Sequence, residues 1–122
     1  MDRRRLPLLG ALLLLVLAAS GCGTGGPAKG GDPSRGRHVM VDYGCQTCHH
    51  IPGVHGANGT VGPPLDRMAL RGFVAGRLQN SPENLIRWIR DPQSVDPKNA
   101  MPNSGVTERD ARDIAAYLYT LR

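Results

Sequence analysis

Apolar and polar positions divide the chain into a leading apolar run, a Gly-rich stretch and three segments of helical period. Leu6 to Ala19 is almost wholly apolar, broken by one Pro and one Gly. Further on, Asp32-Pro33 is a helix start, with Asp as N-cap and Pro in the first turn. Val39, Met40 and Tyr43 then share a face, so the pattern predicts a helix to about Tyr43. Ser81-Pro82-Glu83-Asn84 is the clearest start: a Ser cap, Pro at N1 and an acid in the first turn. Leu85, Ile86, Trp88 and Ile89 make its apolar face, and Asp91-Pro92 ends it. Thr107, with Asp110 three residues on, opens a last helix striped by Ile114, Ala115, Tyr117, Leu118 and Leu121. Between these segments, Ile51 to Pro64 carries Gly or Pro at seven positions, which leaves no room for a regular element. A loop that long in a small domain is expected to be functional, and wrapping a cofactor accounts for it. Leu65 to Val74 has room for a short helix, and Val95 to Gly105 reads as extended. No strand pattern is present. The expectation is an all-α domain: three main helices joined by long loops.

The 122 residues suffice for one small domain, and the first segment lies outside it. Arg3, Arg4 and Arg5 precede an apolar run shorter than the ~20 residues of a membrane span, so residues 1–21 read as an export signal. Ala19-Ser20-Gly21-Cys22 resembles a bacterial lipobox, in which the cysteine is acylated and becomes the first mature residue. Ala19 stands where a lipobox usually has Leu, although Leu17 is near; the alternatives are an ordinary cleavage site or an uncleaved anchor. Residues 22–33, Gly-rich from Gly23 to Gly31, read as a flexible tether, and residues 34–122 as the domain. Charge changes little. The full chain has 15 Lys+Arg against 10 Asp+Glu; without Asp2 and Arg3 to Arg5 the balance is 12 against 9, or +3. No basic run interleaved with aromatics suggests nucleic acid.

Candidate chemistry concentrates in Cys45-Gln46-Thr47-Cys48-His49. Two thiols three residues apart, followed at once by histidine, read as a c-type haem attachment site. Cys45 and Cys48 would each add to one haem vinyl group, and His49 would be the proximal iron ligand. A redox dithiol does not need the histidine, and a four-ligand zinc site needs a second pair of ligands. The other Cys and His residues, Cys22, His38, His50 and His55, form no such pair. Cys22 is then an odd cysteine in an exported chain, which acylation explains. Two thirds of the methionines beyond the export segment, Met40 and Met68, sit in helical stretches and read as packing. Met101 stands in an irregular segment stiffened by Pro102, where a loop can bring its thioether over the open haem face. His50 is too close to His49 to reach that face; His55 is a weaker rival. A mature part of about 100 residues has little core, and a covalent haem would supply much of the missing apolar surface.

Residues 34–122 resemble a class I cytochrome c domain. The resemblance rests on Gly36, Cys45 to His49, Gly62-Pro63-Pro64-Leu65, Met101-Pro102 and Ile114 to Leu118. It is closest to the domains fused to subunit II of bacterial haem–copper oxidases, through Arg71, Gly76, Asn80 and the run Leu85 to Pro92. With a lipid signal in place of a copper-binding or two-span portion, the chain is expected to be distinct from subunit II itself. The resemblance implies the small cytochrome c fold wrapped around one covalent haem. It also implies that Pro63 accepts a hydrogen bond from His49 Nδ1, that Leu65 packs on the haem, and that Arg71 and Trp88 hold its propionates. Gly36 is implied to let the first helix approach the last against Tyr117. The implied function is electron transfer in a respiratory chain, with a terminal oxidase, a cytochrome bc complex or a dehydrogenase as partner. Its expected place is the outer face of the bacterial cytoplasmic membrane, through lipid on Cys22, or the periplasm. No catalytic residues are expected. The alternatives are the electron-acceptor subunit of a periplasmic dehydrogenase, or a haem peroxidase or gas sensor if Met101 is not a ligand.

Overall fold

The start of each of the three main helices is made by the side chain that the sequence pattern nominates. Asp32 accepts from the Ser34 and Arg35 amides at 2.9 and 3.1 Å and opens α1, Pro33–Asp42. Ser81 caps α2, Pro82–Arg90, through Asn84 N–H at 3.2 Å. Thr107 caps α4, Glu108–Leu118, through Asp110 N–H at 3.1 Å. These bonds satisfy amides that have no partner inside the helix. The computed structural model describes Ala28 and residues 30–122. The export segment, Cys22 and most of the tether lie outside the described residues. Among those described, no helix is long and apolar enough to cross a membrane.

The long connections hold more structure than their sequence suggests. Asp91 ends α2 as expected, but its side chain also accepts from Ser94 N–H at 3.1 Å and starts α3, Pro92–Val95. Pro92 is tolerated at N1 because its missing N–H would be unpaired there in any case. Leu65 to Val74 contains a single 3₁₀ turn, Met68–Leu70, rather than a longer helix. It leads into an antiparallel hairpin of β1, Phe73–Val74, and β2, Leu78–Gln79, with Phe73 opposite Gln79 and Val74 opposite Leu78. Strands of two residues are too short to show a period of two, which is why the pattern missed them.

The core lies where α1 and α2 meet α4. Met40, Ile51, Val74 and Leu85 are almost wholly inaccessible, and Met40 and Met68 are both buried, as their packing role requires. The closest approach is at Gly36. A Cβ there would overlap the Asp113 carbonyl and the Ile114 amide nitrogen, so α1 and α4 meet backbone to backbone. The atoms nearest Gly36 are thus backbone, where Tyr117 was the expected neighbour. Tyr117 lies one turn on, where its hydroxyl donates to Pro52 C=O at 2.6 Å beneath Gly53.

Buried carboxylates lock the same crossing. Asp113 accepts from Asp32 N–H at 2.8 Å and pairs with Arg35; Asp110 pairs with Arg35 and accepts from the Tyr43 hydroxyl at 2.7 Å. Hydrogen bonds from Tyr43, then Thr107 and Arg35, pull the Asp110 carboxyl from 3.8 down to about 2. Stability from this group is therefore full above about pH 4 and is lost as pH falls toward 2. In urea unfolding, Asp110→Asn is expected to be less stable than the parent, with the gap widest above pH 4 and closing toward pH 2. A gap that stays constant across that range would contradict the assignment.

Candidate haem-binding site

Gly44, in the left-handed region at φ 74°, turns the chain out of α1 into the 3₁₀ turn Cys45–Thr47. That turn stacks the two cysteines, and His49 N–H closes it on Cys45 C=O at 3.0 Å. Both thiols are free and partly buried. Burial, with a smaller contribution from the neighbouring Cys48, pushes the Cys45 thiol above its ordinary range.

The histidine is oriented by the Gly-Pro-Pro loop. His49 Nδ1 lies 2.6 Å from Pro63 C=O. A carbonyl can only accept, so Nδ1 carries the proton and Nε2 keeps its lone pair for a metal. Gly62 lies flat on the imidazole, where a Cβ would overlap Cε1, Nδ1 and Nε2. Two further bonds hold the loop: Gly62 N–H to Cys48 C=O at 2.8 Å and Leu65 N–H to His50 C=O at 2.9 Å. Free thiols one turn apart beside an imidazole with Nε2 available suit a covalently attached haem. They do not suit zinc: among the described residues, no three His, Cys, Asp or Glu side chains converge.

Arg71 is half-buried, and its Nη2 donates to Pro64 C=O at 2.5 Å and Asp66 C=O at 2.7 Å. Its own backbone is held by Asn80, whose Nδ2 donates to the carbonyls of Arg71 and Met68 at 2.8 and 2.9 Å. Asn80 in turn accepts from the Tyr119 hydroxyl at 2.7 Å. Burial, aided by Glu83, raises that phenol to about 12, so it remains a donor at ordinary pH. Leu65 and Trp88 are partly buried against the core.

Met101 is partly buried in the connection between α3 and α4. Its N–H donates to Asn99 Oδ1 at 2.6 Å, and its C=O accepts from Gln93 Nε2 at 2.8 Å. The structure thus joins Cys48, His49, Pro63 and Arg71 in one hydrogen-bonded unit, while Met101 is held from α3. Sequence reasoning singles out Gly62 with the Gly-Pro-Pro-Leu motif but does not foresee its contact with His49. It misses Gln93 and Asn99, because isolated amides in a loop carry no signal.

The sequence profile of the cytochrome c family matches residues 33–122, which includes every element described here. The chain belongs to the cytochrome c family. Membership implies covalently bound haem c and a function in electron transfer. Curated relatives include "Cytochrome c oxidase subunit 2" of Alkalihalophilus pseudofirmus, 38% identical over 91 residues, covering 73% of this chain and 25% of that protein. The protein of the same name from Bacillus sp. strain PS3 is 33% identical over 88 residues, covering 69% of this chain and 25% of its own. The chain therefore spans about a quarter of the length of these relatives.

The contact between Gly62 and the imidazole has a measurable consequence. Gly62→Ala should lower the unfolding free energy by about 1–3 kcal/mol, the usual cost of overpacking. Gly72→Ala, whose Cβ would meet nothing within 4 Å, should stay within about 0.5 kcal/mol of the parent. Equal effects in denaturant titrations would show that the imidazole contact is not what requires a glycine.

Proposed function

We propose that this cytochrome c domain is a membrane-tethered monohaem electron carrier of a respiratory chain, passing electrons to or from a terminal oxidase. The observation that carries the reading is the His49 Nδ1 bond to Pro63 C=O, which prepares Nε2 as an iron ligand beside two free thiols. Cys45 and Cys48 form the thioether links, His49 is the proximal ligand and Met101 the distal one. Haem c, when bound, supplies a one-electron Fe(III)/Fe(II) couple. The soft thioether of Met101 favours the reduced state relative to a second nitrogen ligand. Pro63 fixes the ring plane of His49 and raises its basicity. Leu65 gives apolar cover, and the remaining guanidinium N–H groups of Arg71, with the Trp88 indole N–H, are donors for the propionates.

If His49 and Met101 both held the iron, no position would be left for a substrate; the reading is therefore not enzymatic and assigns no catalytic residue. The respiratory context rests on the two relatives named as oxidase subunits. A cytochrome bc complex or a periplasmic dehydrogenase would meet the same site through similarly small, transient encounters. Lipid on Cys22 would keep the domain on the outer face of the cytoplasmic membrane and raise its effective concentration near such partners.

Two experiments test the reading. The ferric holoprotein should show the weak absorption band near the red end that marks Met–Fe(III) ligation. Met101→Ala should lose that band, keep covalent haem, and bind carbon monoxide when reduced. A parent protein that is high-spin and already binds carbon monoxide would favour a peroxidase or gas sensor instead. Cys22→Ala should release the protein from membranes; a variant still membrane-bound and unprocessed would favour an uncleaved hydrophobic anchor.

A further inference from the structure

The loop that carries Met101 has little backbone structure of its own. Among the described residues, no backbone–backbone hydrogen bond is made from Ala100 to Val106. Both polar backbone groups of Met101 are taken by side-chain amides, Asn99 on one side and Gln93 on the other. Both amides also bind neighbouring backbone. Gln93 Nε2 donates a second bond to Asn99 C=O at 3.1 Å, and Asn99 Nδ2 donates to Pro92 C=O at 3.1 Å and to Asp96 C=O at 2.5 Å. Gln93 is itself fixed on α3, which Asp91 caps, and its N–H donates to Asn103 Oδ1 at 3.3 Å. Every donor of the Gln93 carboxamide is therefore spent on the loop around residue 101.

From this geometry we infer that Gln93 and Asn99 are positioning residues that hold the Met101 thioether in place as an iron ligand. Their bonds set how readily an outside ligand displaces it. The inference rests on the proposed ligand role of Met101. A neutral thioether is a weak ligand, so its hold on iron depends on how much of the loop's ordering is complete before the bond forms. The clamp supplies that order in advance, which is preorganisation in the ordinary sense.

The test uses the ferric holoprotein of the full chain, with imidazole as the competing ligand. Gln93→Leu removes both donated bonds at nearly constant volume and should bind imidazole about tenfold more tightly, equivalent to ~1.4 kcal/mol. Gln79→Leu, an exposed amide on the hairpin outside the clamp, should stay within twofold of the parent. Gln93→Glu separates positioning from general stability. As a carboxylate it cannot donate, so its red band should be weaker than the parent's at pH 7.

Gln93→Leu affinity within twofold of the parent, with the band lost in Met101→Ala, would overturn the inference and leave the ligand assignment standing. A band that survives Met101→Ala would remove the ligand assignment, and the clamp with it. Should Gln93→Leu fail to retain haem, Gln93→Glu decides alone: a red band at pH 7 as strong as the parent's overturns the proposal.

Discussion

At Gly36 the first helix offers no side chain, and the Asp113 carbonyl of the last helix takes the space a Cβ would fill. The other contacts of the crossing depend on this approach. It brings the Arg35 guanidinium onto Asp110 and Asp113, and the Tyr43 hydroxyl onto Asp110. It also lets the buried carboxylate of Asp113 accept the amide that precedes α1. A buried charge is tolerated only when paired and hydrogen-bonded, and both carboxylates meet that condition. Beyond the crossing, Gly44 turns the chain out of α1 into the turn bearing Cys45, Cys48 and His49.

Away from this crossing, side chains bonded to backbone replace regular structure. Arg71 holds the carbonyls of Pro64 and Asp66, next to the one that accepts from His49. Asn80 holds those of Met68 and Arg71. Gln93 and Asn99 hold Met101. Buried or half-buried backbone groups in irregular segments must find partners, and long polar side chains supply them where no ladder can form. The result is two loops of defined shape, one presenting a histidine and the other a thioether. Electron transfer favours such rigidity, because a site that moves little between oxidation states has little to reorganise.

Under the proposed function, lipid on Cys22 would set the domain's working distance from membrane partners and raise its effective concentration near them.

Local signals determined much of this protein. The caps at Asp32, Ser81 and Thr107, the Pro residues at N1, and the Cys45 to His49 spacing are short-range patterns with short-range causes, so the three main helices and the haem motif were legible from the chain. The Pro63 acceptor was legible through resemblance to the family. Tertiary structure decided the rest. The atoms nearest Gly36 proved to be the backbone of Asp113 and Ile114, because a helix face does not reveal which turn of its neighbour it meets most closely. The hairpin of Phe73–Val74 and Leu78–Gln79 exists through pairing, not periodicity. The amides around Met101 became meaningful only once the loop folded back on α3, since a hydrogen bond between residues 93 and 101 has no signature in the residues between them.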